Sequence, residues 1–441
     1  MASDARRCDV IVVGAGPAGI SCAYVLAKAG VDVVVLERGQ YPGAKNMFGG
    51  VFVSDQMSSM LTAFYDQAPV ERFLAKRRYS LLVDRSEIAL GIELEEFKQP
   101  PYNHSFIVKR SVFDRWFASK AGEQGATIVN GLTVQDFLWD DGRVVGVTSG
   151  RGHENALLAD VVVCAEGANS LLAQRAGLRN RMSRRARIVA VKEVIALPKA
   201  VINERFGLAG REGAAYEYFG EAVAGMLGNA FLYTGLDSVS VGVGVLISEL
   251  CGREAPVSPN ELLDGFKAHP CVSRLISGGE SLEYAAHMIP ADGYRNMPTL
   301  FTDGLLLVGD AAGLVDNSPF HHQGMNWAVA SGRMAAETIL RNRAGGRYDA
   351  DALSVYPRLL DQTFALEDLK GSGTFLDFVV ARREELLNEY PHALRDALAK
   401  FFAVGDAPRR VVERNILRDL KSRTSLTRMV MNLVSLVRSG I

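Results

Sequence analysis

Uninterrupted apolar runs occupy residues 10–13, 33–36, 161–163 and 305–308, and runs of that density are typical of parallel strands covered on both faces. Between the first two, Ile20, Ala23, Tyr24, Leu26 and Ala27 fall on one helical face, and Gly30 offers the C-cap that ends it. Residues 8–39 therefore read as strand, glycine turn, helix, strand. The middle of the chain has a different pattern. Residues 188–196, 215–219, 231–234 and 238–246 alternate or run apolar and are rich in β-branched side chains, which predicts a mostly antiparallel sheet. Gly220, Gly225, Gly228, Gly242 and Gly244 supply its turns and close backbone approaches. From about residue 346 the spacing is helical, and no internal repeat interrupts the chain.

Gly14, Gly16 and Gly19 form G-x-G-x-x-G inside the first strand–turn–helix unit. In that context the first glycine makes the tight turn, the second lets backbone approach a pyrophosphate, and the third allows close helix packing, with the helix N-terminus offering N–H groups to the phosphates. Glu37 ends the second strand, where a carboxylate accepts both hydroxyls of an adenosine ribose and disfavours a 2′-phosphate. The adenosine diphosphate moiety of FAD or NAD is expected. Far downstream, the run 305–308 leads into Gly309-Asp310-Ala311-Ala312, and a helix is predicted to start near Gly324. This places Asp310 at the carboxyl end of the sheet, positioned to accept hydrogen bonds from ribityl hydroxyls; a helix N-cap is its alternative role.

Charge and composition narrow the function classes. With 49 Lys+Arg against 50 Asp+Glu, the net charge of -1 gives no global field for nucleic acid, and 48% hydrophobic residues exclude a disordered chain. The five cysteines are odd in number and lack C-x-x-C spacing, so neither a disulfide framework nor a metal site is expected, and a reducing cytoplasm suits them. No signal-peptide pattern opens the chain, and no run of 18 apolar residues occurs. Residues 409–441 carry eight basic against two acidic side chains, and Leu426, Met429, Val430, Leu433, Val434 and Val437 recur at helical spacing. A helix there suits peripheral contact with an anionic membrane, a partner, or its own domain.

The early glycine motif and the late Gly-Asp motif together resemble FAD-binding flavoproteins of the glutathione reductase type, in the branch of aromatic hydroxylases and geranylgeranyl reductases. Three blocks, residues 41–52 (YPGAKNMFGGVF), 225–245 and 288–317, narrow this to a resemblance to the FixC-like branch of the electron transfer flavoprotein:quinone oxidoreductases. The resemblance implies an α/β fold: a glutathione-reductase-type FAD-binding Rossmann domain, a mostly antiparallel β-sheet substrate domain and a helical C-terminus. The expected division is 1–75, 100–180 and 296–345 for the FAD domain, 76–99 and 181–295 for the substrate domain, and 346–441 for the helical region. The implied cofactor positions are Gly14, Gly16, Ala18, Gly19, Glu37, Arg38, Gly49, Gly50, Arg110, Gly309, Asp310, Gly324 and Met325. Glu166 stands where the family has Asp, and no role is assigned to it.

The implied activity is transfer of electrons through FAD between an electron transfer flavoprotein, or a ferredoxin-like subunit, and a quinone. The alternative is a reductase, dehydrogenase or hydroxylase of a small apolar molecule. His321 and His322, where FixC members carry a different stretch, follow the Gly-Asp motif. They are the candidate catalytic residues, as general acid or base or as hydrogen-bond partners of the ring, with an ordinary turn as the other reading.

Overall fold

The computed structural model describes residues 6–45, 50–150, 155–253, 255–291, 293–318 and 321–423, with 428, 431, 432, 434 and 435. The chain divides into two units: 1–73, 99–187 and 287–370, and 74–98, 188–286 and 371–441.

The first unit is built on a sheet ordered Phe301–Thr302, Leu305–Leu307, Ala156–Cys164, Arg6–Val13, Val33–Glu37, Thr127–Asn130, in which the strands from Leu305–Leu307 to Thr127–Asn130 run parallel. Four of these strands carry the apolar runs of the sequence, and Val10, Ile11, Val12, Val33, Val161, Val162, Leu305 and Leu306 are at most 1% exposed. The order reverses between Arg6–Val13 and Ala156–Cys164, the kind of switch point where open α/β sheets bind ligands.

The helix Pro17–Lys28 packs along Met325–Asn342 at very close range. A Cβ on Gly332 would lie 2.0 Å from the Ala18 carbonyl, and Ser21 Oγ donates to the Val329 carbonyl at 3.1 Å. Arg343 donates to the Ala29 and Gly30 carbonyls at 2.9 and 2.7 Å and satisfies the C-terminal end of the first helix.

In the second unit, Arg187–Ala196, Ser238–Leu246, Gly228–Thr234 and Glu212–Gly220 form successive antiparallel pairs, followed by Val70–Val83 with Ser86–Glu93 on its edge. Helices Lys199–Phe206, Pro259–Ala268 and Pro270–Ile276 contribute Ile202, Phe206, Leu262, Phe266 and Val272 to the core on one face.

Residues 346–370 fall in the first unit and 371–441 in the second. Leu353, Tyr356, Leu359, Leu360, Leu366 and Leu369 join the core of the first unit, and Tyr356, fully buried in the helix Val355–Asp361, donates its hydroxyl to the Leu307 carbonyl at 2.9 Å. Most of the terminal segment 425–441 lies outside the described residues. Of those described, Asn432 is 6% exposed, accepting from Arg382 Nε at 2.8 Å and donating to the Tyr390 hydroxyl at 2.9 Å.

Candidate functional site

One row of paired residues sets the geometry. Leu36, Val13, Cys164 and Leu307 lie side by side across four parallel strands, so Glu37, Gly14, Ala165 and Val308 follow at one edge of the sheet. Residues distant in sequence meet there because register is fixed by burial of both faces.

Gly14 has φ of +105°, and a Cβ on it would lie 2.4 Å from the Ala165 carbonyl oxygen, so only glycine fits the turn. Gly19 is constrained too, since a Cβ on it would lie 2.0 Å from the Gly14 carbonyl oxygen. Gly16 differs. A Cβ there would have a single neighbour, Arg110 Nη2, at 4.0 Å, so its backbone borders open space beside a cation. The helix that follows begins with Pro17 and has neither a side-chain cap nor an acidic residue in its first turn, leaving its positive end to an anionic ligand. Ala18 is a packing position. Its side chain is buried and would stand 2.9 Å from a Cβ on Gly309.

Glu37 is 9% exposed, accepting from the Ala15 N–H at 2.9 Å and the Gly39 N–H at 2.6 Å, one on each oxygen. These bonds fix its plane and leave a second acceptor direction on each oxygen for ribose hydroxyls. Arg38 is exposed beside it. Arg110 opens the helix Arg110–Glu123 and makes a bidentate pair with Asp114 at 2.7 and 2.6 Å, aiming the guanidinium at the Gly16 turn.

On the other side of the edge, Gly309 has φ of +61°, and its N–H donates to Ser331 Oγ at 2.9 Å. Asp310 follows. Burial pushes its carboxyl up, and His287, Arg110 and Arg179 pull it back toward the ionised form. Arg179, 5% exposed, donates to the Asp310 and Ala311 carbonyls at 3.2 and 2.7 Å and holds this turn. Burial lowers the pKa of His287, with Asp310 opposing and Arg110 and Arg38 reinforcing. Gly324 caps the helix Met325–Asn342, whose second residue, Asn326, is buried and donates to Asp55 Oδ1 at 2.6 Å.

Sequence reading missed Arg179, His287 and the Asn326–Asp55 pair, none of which belongs to a spaced motif. Glu166, left without a role, has one: its carboxylate accepts from the N–H groups of Leu172 and Ala173 at 2.9 and 2.8 Å and caps the helix Leu171–Arg175. Gly50 begins the strand Gly50–Val53, and Gly49 lies outside the described residues. The strand His321–Gln323 pairs with Asp316–Ser318, placing His321 opposite Ser318 and His322 opposite Asn317; the two imidazoles lie outside what is described.

The glycine cradle, the anchored carboxylate of Glu37 and the open space by Gly16 fit an FAD. Residues 7–206 match a family described as FAD binding domain, and residues 378–440 match the ETF-QO/FixC family C-terminal domain. Among curated relatives, protein FixC of Bradyrhizobium diazoefficiens is 39% identical over 427 residues, covering 96% of this chain and 97% of that one. A probable electron transfer flavoprotein-quinone oxidoreductase of Escherichia coli is 34% identical over 433 residues, covering 98% and 97%. Among solved structures, a geranylgeranyl bacteriochlorophyll reductase-like protein from Thermoplasma acidophilum aligns with a TM-score of 0.66 at 19% identity, covering 96% of this chain and 100% of that one, and shares the fold. The chain belongs to the ETF-QO/FixC family and is an FAD-dependent oxidoreductase.

Proposed function

We propose that the protein takes electrons from an electron transfer flavoprotein and passes them to a quinone. The observation that carries this reading is full-length similarity to FixC proteins and a probable flavoprotein-quinone oxidoreductase, joined to a sheet edge built for a dinucleotide. Bound FAD supplies the one- and two-electron chemistry. Gly14, Gly16, Gly19 and the helix N-terminus after them hold the pyrophosphate, with Arg110 as its counter-charge. Glu37 binds the adenosine ribose. Asp310, positioned by Arg179, would hold the ribityl chain, and Gly324 and Met325 at the N-terminus of Met325–Asn342 would bind the flavin ring. His321 and His322 then act as hydrogen-bond partners of the ring, and His321→Ala or His322→Ala is expected to shift the flavin potential while turnover changes less than tenfold. A turnover loss of about 10²–10⁴-fold with FAD retained would identify a general acid or base and favour the small-molecule reading. On the acceptor side, photoreduced protein mixed anaerobically with a water-soluble quinone is expected to regain its oxidised flavin spectrum within a turnover time, and persistence of the reduced spectrum would refute quinone reduction.

The cofactor is held non-covalently in this reading. Acid or heat precipitation should release FAD into the supernatant, and flavin remaining on the pellet would contradict it.

Peripheral membrane contact is proposed for the C-terminal helices. Among the described residues, no helix is long and apolar enough to cross a membrane. Phe402, which ends the helix Tyr390–Phe402, and Val404 beyond it are 74% and 103% exposed, and basic residues 409, 410, 414, 418, 421 and 423 lie further along. Apolar residues beside a basic stretch favour an anionic interface. Co-sedimentation with anionic vesicles should weaken with salt and be lost in Phe402→Asp/Val404→Asp; equal sedimentation of that variant would remove this surface from membrane binding.

A further inference from the structure

Three segments of the second unit converge on one patch. The hairpin joining Val70–Val83 to Ser86–Glu93 turns at Asp84 and Arg85, both with positive φ (47° and 62°), so the strands close tightly and Asp84 is held at their tip. Beside it ends the strand Glu212–Gly220. Gly220 has φ of +75°, and a Cβ on it would lie 2.8 Å from the Leu82 carbonyl oxygen, so this strand end is pressed against the hairpin. Glu221 follows directly, and Ala222 and Val223 anchor its short turn in the apolar core. The third segment is the helix Tyr390–Phe402, entered from a π-helical turn at Glu385–Glu389, with Pro391 and Ala393 buried on either side of His392.

These anchors bring together two carboxylates and an imidazole. One donor atom from each of Asp84, Glu221 and His392 lies within 4.8 Å of the other two. His392 Nε2 stands 3.8 Å from Asp84 Oδ1, too far for a hydrogen bond. Two ligands about 2.0–2.2 Å from one tetrahedral ion are about 3.4 Å apart. The observed spacing therefore needs only a small inward turn of two side chains that are 38% and 49% exposed. The far nitrogen of the ring fixes which atom can bind. His392 Nδ1 is 2.8 Å from the Asn388 carbonyl oxygen, and because a carbonyl only accepts, Nδ1 carries the hydrogen and the neutral imidazole keeps its lone pair on Nε2. A backbone carbonyl holding the far nitrogen is the usual support of a metal-bound histidine. Arg395 Nε lies 4.0 Å from the other oxygen of Asp84 and pairs with Asp396 at 2.6 Å, which leaves Asp84 Oδ1 toward the imidazole.

Glu221 and His392 also border a cleft of about 330 Å³, shared with Arg253, Arg383 and Asn388. The two arginines are engaged there: Arg383 pairs with Glu249 at 3.0 Å, and Arg253 Nη1 donates to the Ala224 carbonyl at 3.1 Å. Water from the cleft can reach a remaining coordination position.

We propose that Asp84, Glu221 and His392 bind a divalent transition-metal ion of the zinc class. Imidazole suits zinc and its neighbours, whereas magnesium and calcium take oxygen ligands. One imidazole, two carboxylates and a water make a four-coordinate shell. The ion joins the hairpin tip, the strand end and the helix, so its binding stabilises the folded unit. None of the three ligands belongs to the dinucleotide edge, and the proposal is independent of the electron acceptor.

The test uses tag-free, FAD-loaded protein stripped with a chelator and titrated calorimetrically with zinc chloride, then separately with magnesium chloride. Wild-type protein should bind one zinc that Asp84→Asn, Glu221→Gln and His392→Gln each weaken by about 10²-fold or more, with flavin content and circular dichroism unchanged. Magnesium should bind far more weakly than zinc. Zinc should raise the thermal unfolding midpoint of the wild type, increasingly with its concentration, and leave that of His392→Gln unmoved. Cobalt in place of zinc should give visible ligand-field bands that are lost in His392→Gln, a signature that altered stability alone does not produce. Zinc affinity that is equal in wild type and all three variants would overturn the site, as would the lack of any zinc binding, which leaves an ordinary ion pair between His392 and Asp84. Losses in the two carboxylate variants with none in His392→Gln, or equal binding of magnesium and zinc, would reduce the cluster to diffuse attraction by acidic groups and overturn the assignment as well.

Discussion

Gly16→Val should give a folded protein without flavin. A valine Cβ at this position meets only the tip of Arg110 at 4.0 Å, and the backbone, at φ −78° and ψ 178°, is extended and open to any residue. The fold therefore has no cause to reject it. The added methyl groups occupy the space through which the pyrophosphate approaches the helix N-terminus, so FAD affinity should drop by on the order of 10³-fold, about 4 kcal/mol. The measurement is the flavin-to-protein absorbance ratio after purification, with thermal unfolding of the apoprotein alongside. A yellow variant with normal stoichiometry would place the pyrophosphate elsewhere. An aggregated variant would assign Gly16 a structural role.

Gly332→Val should do the reverse and break the fold before the cofactor matters. Its Cβ would fall 2.0 Å from the Ala18 carbonyl oxygen and 2.2 Å from Ser21 Oγ, and the first obstacle is backbone in a packed helix. The helices Pro17–Lys28 and Met325–Asn342 would have to separate, tearing Ser21 from the Val329 carbonyl and the Ala18 packing from Gly309. Overpacking against a rigid partner destabilises at or above the upper end of its usual range, here about 4 kcal/mol or more. Insoluble expression, or a denaturant midpoint far below wild type, is expected. Gly332→Ala already places the offending atom and should also destabilise, whereas unaltered stability in both variants would show that the helices are not so closely apposed.

The contrast between these two glycines also shows what the chain reveals before it folds. The G-x-G-x-x-G spacing is visible in sequence, and so are the apolar runs that become parallel strands, because both are local patterns. Gly332 looks like any glycine in a helix until the partner helix, more than 300 residues away, is brought against it. Arg179 and His287 were missed for the same reason. They reach the Asp310 region from a loop and from the strand Glu280–Pro290, and nothing in their own neighbourhoods marks them. Asp84, Glu221 and His392 share no motif either, and only the fold brings their three segments together. Glu166 shows the opposite case, where a departure from the family pattern looks like a lost function and is a helix cap. Helical spacing from residue 346 onward marks helices, and does not say that Leu353, Tyr356, Leu360 and Leu366 pack into the core of the parallel sheet.

Relay of electrons from a flavoprotein donor is tested most directly by anaerobic reduction of the purified protein with NADH, NADPH or a reduced electron transfer flavoprotein, following bleaching of its flavin. Rapid bleaching by the reduced flavoprotein, with slow or no reaction with either nicotinamide, is the expected result. Rapid bleaching by NADH or NADPH, with the flavin left oxidised by the reduced flavoprotein, would contradict it and make the protein a nicotinamide-dependent reductase.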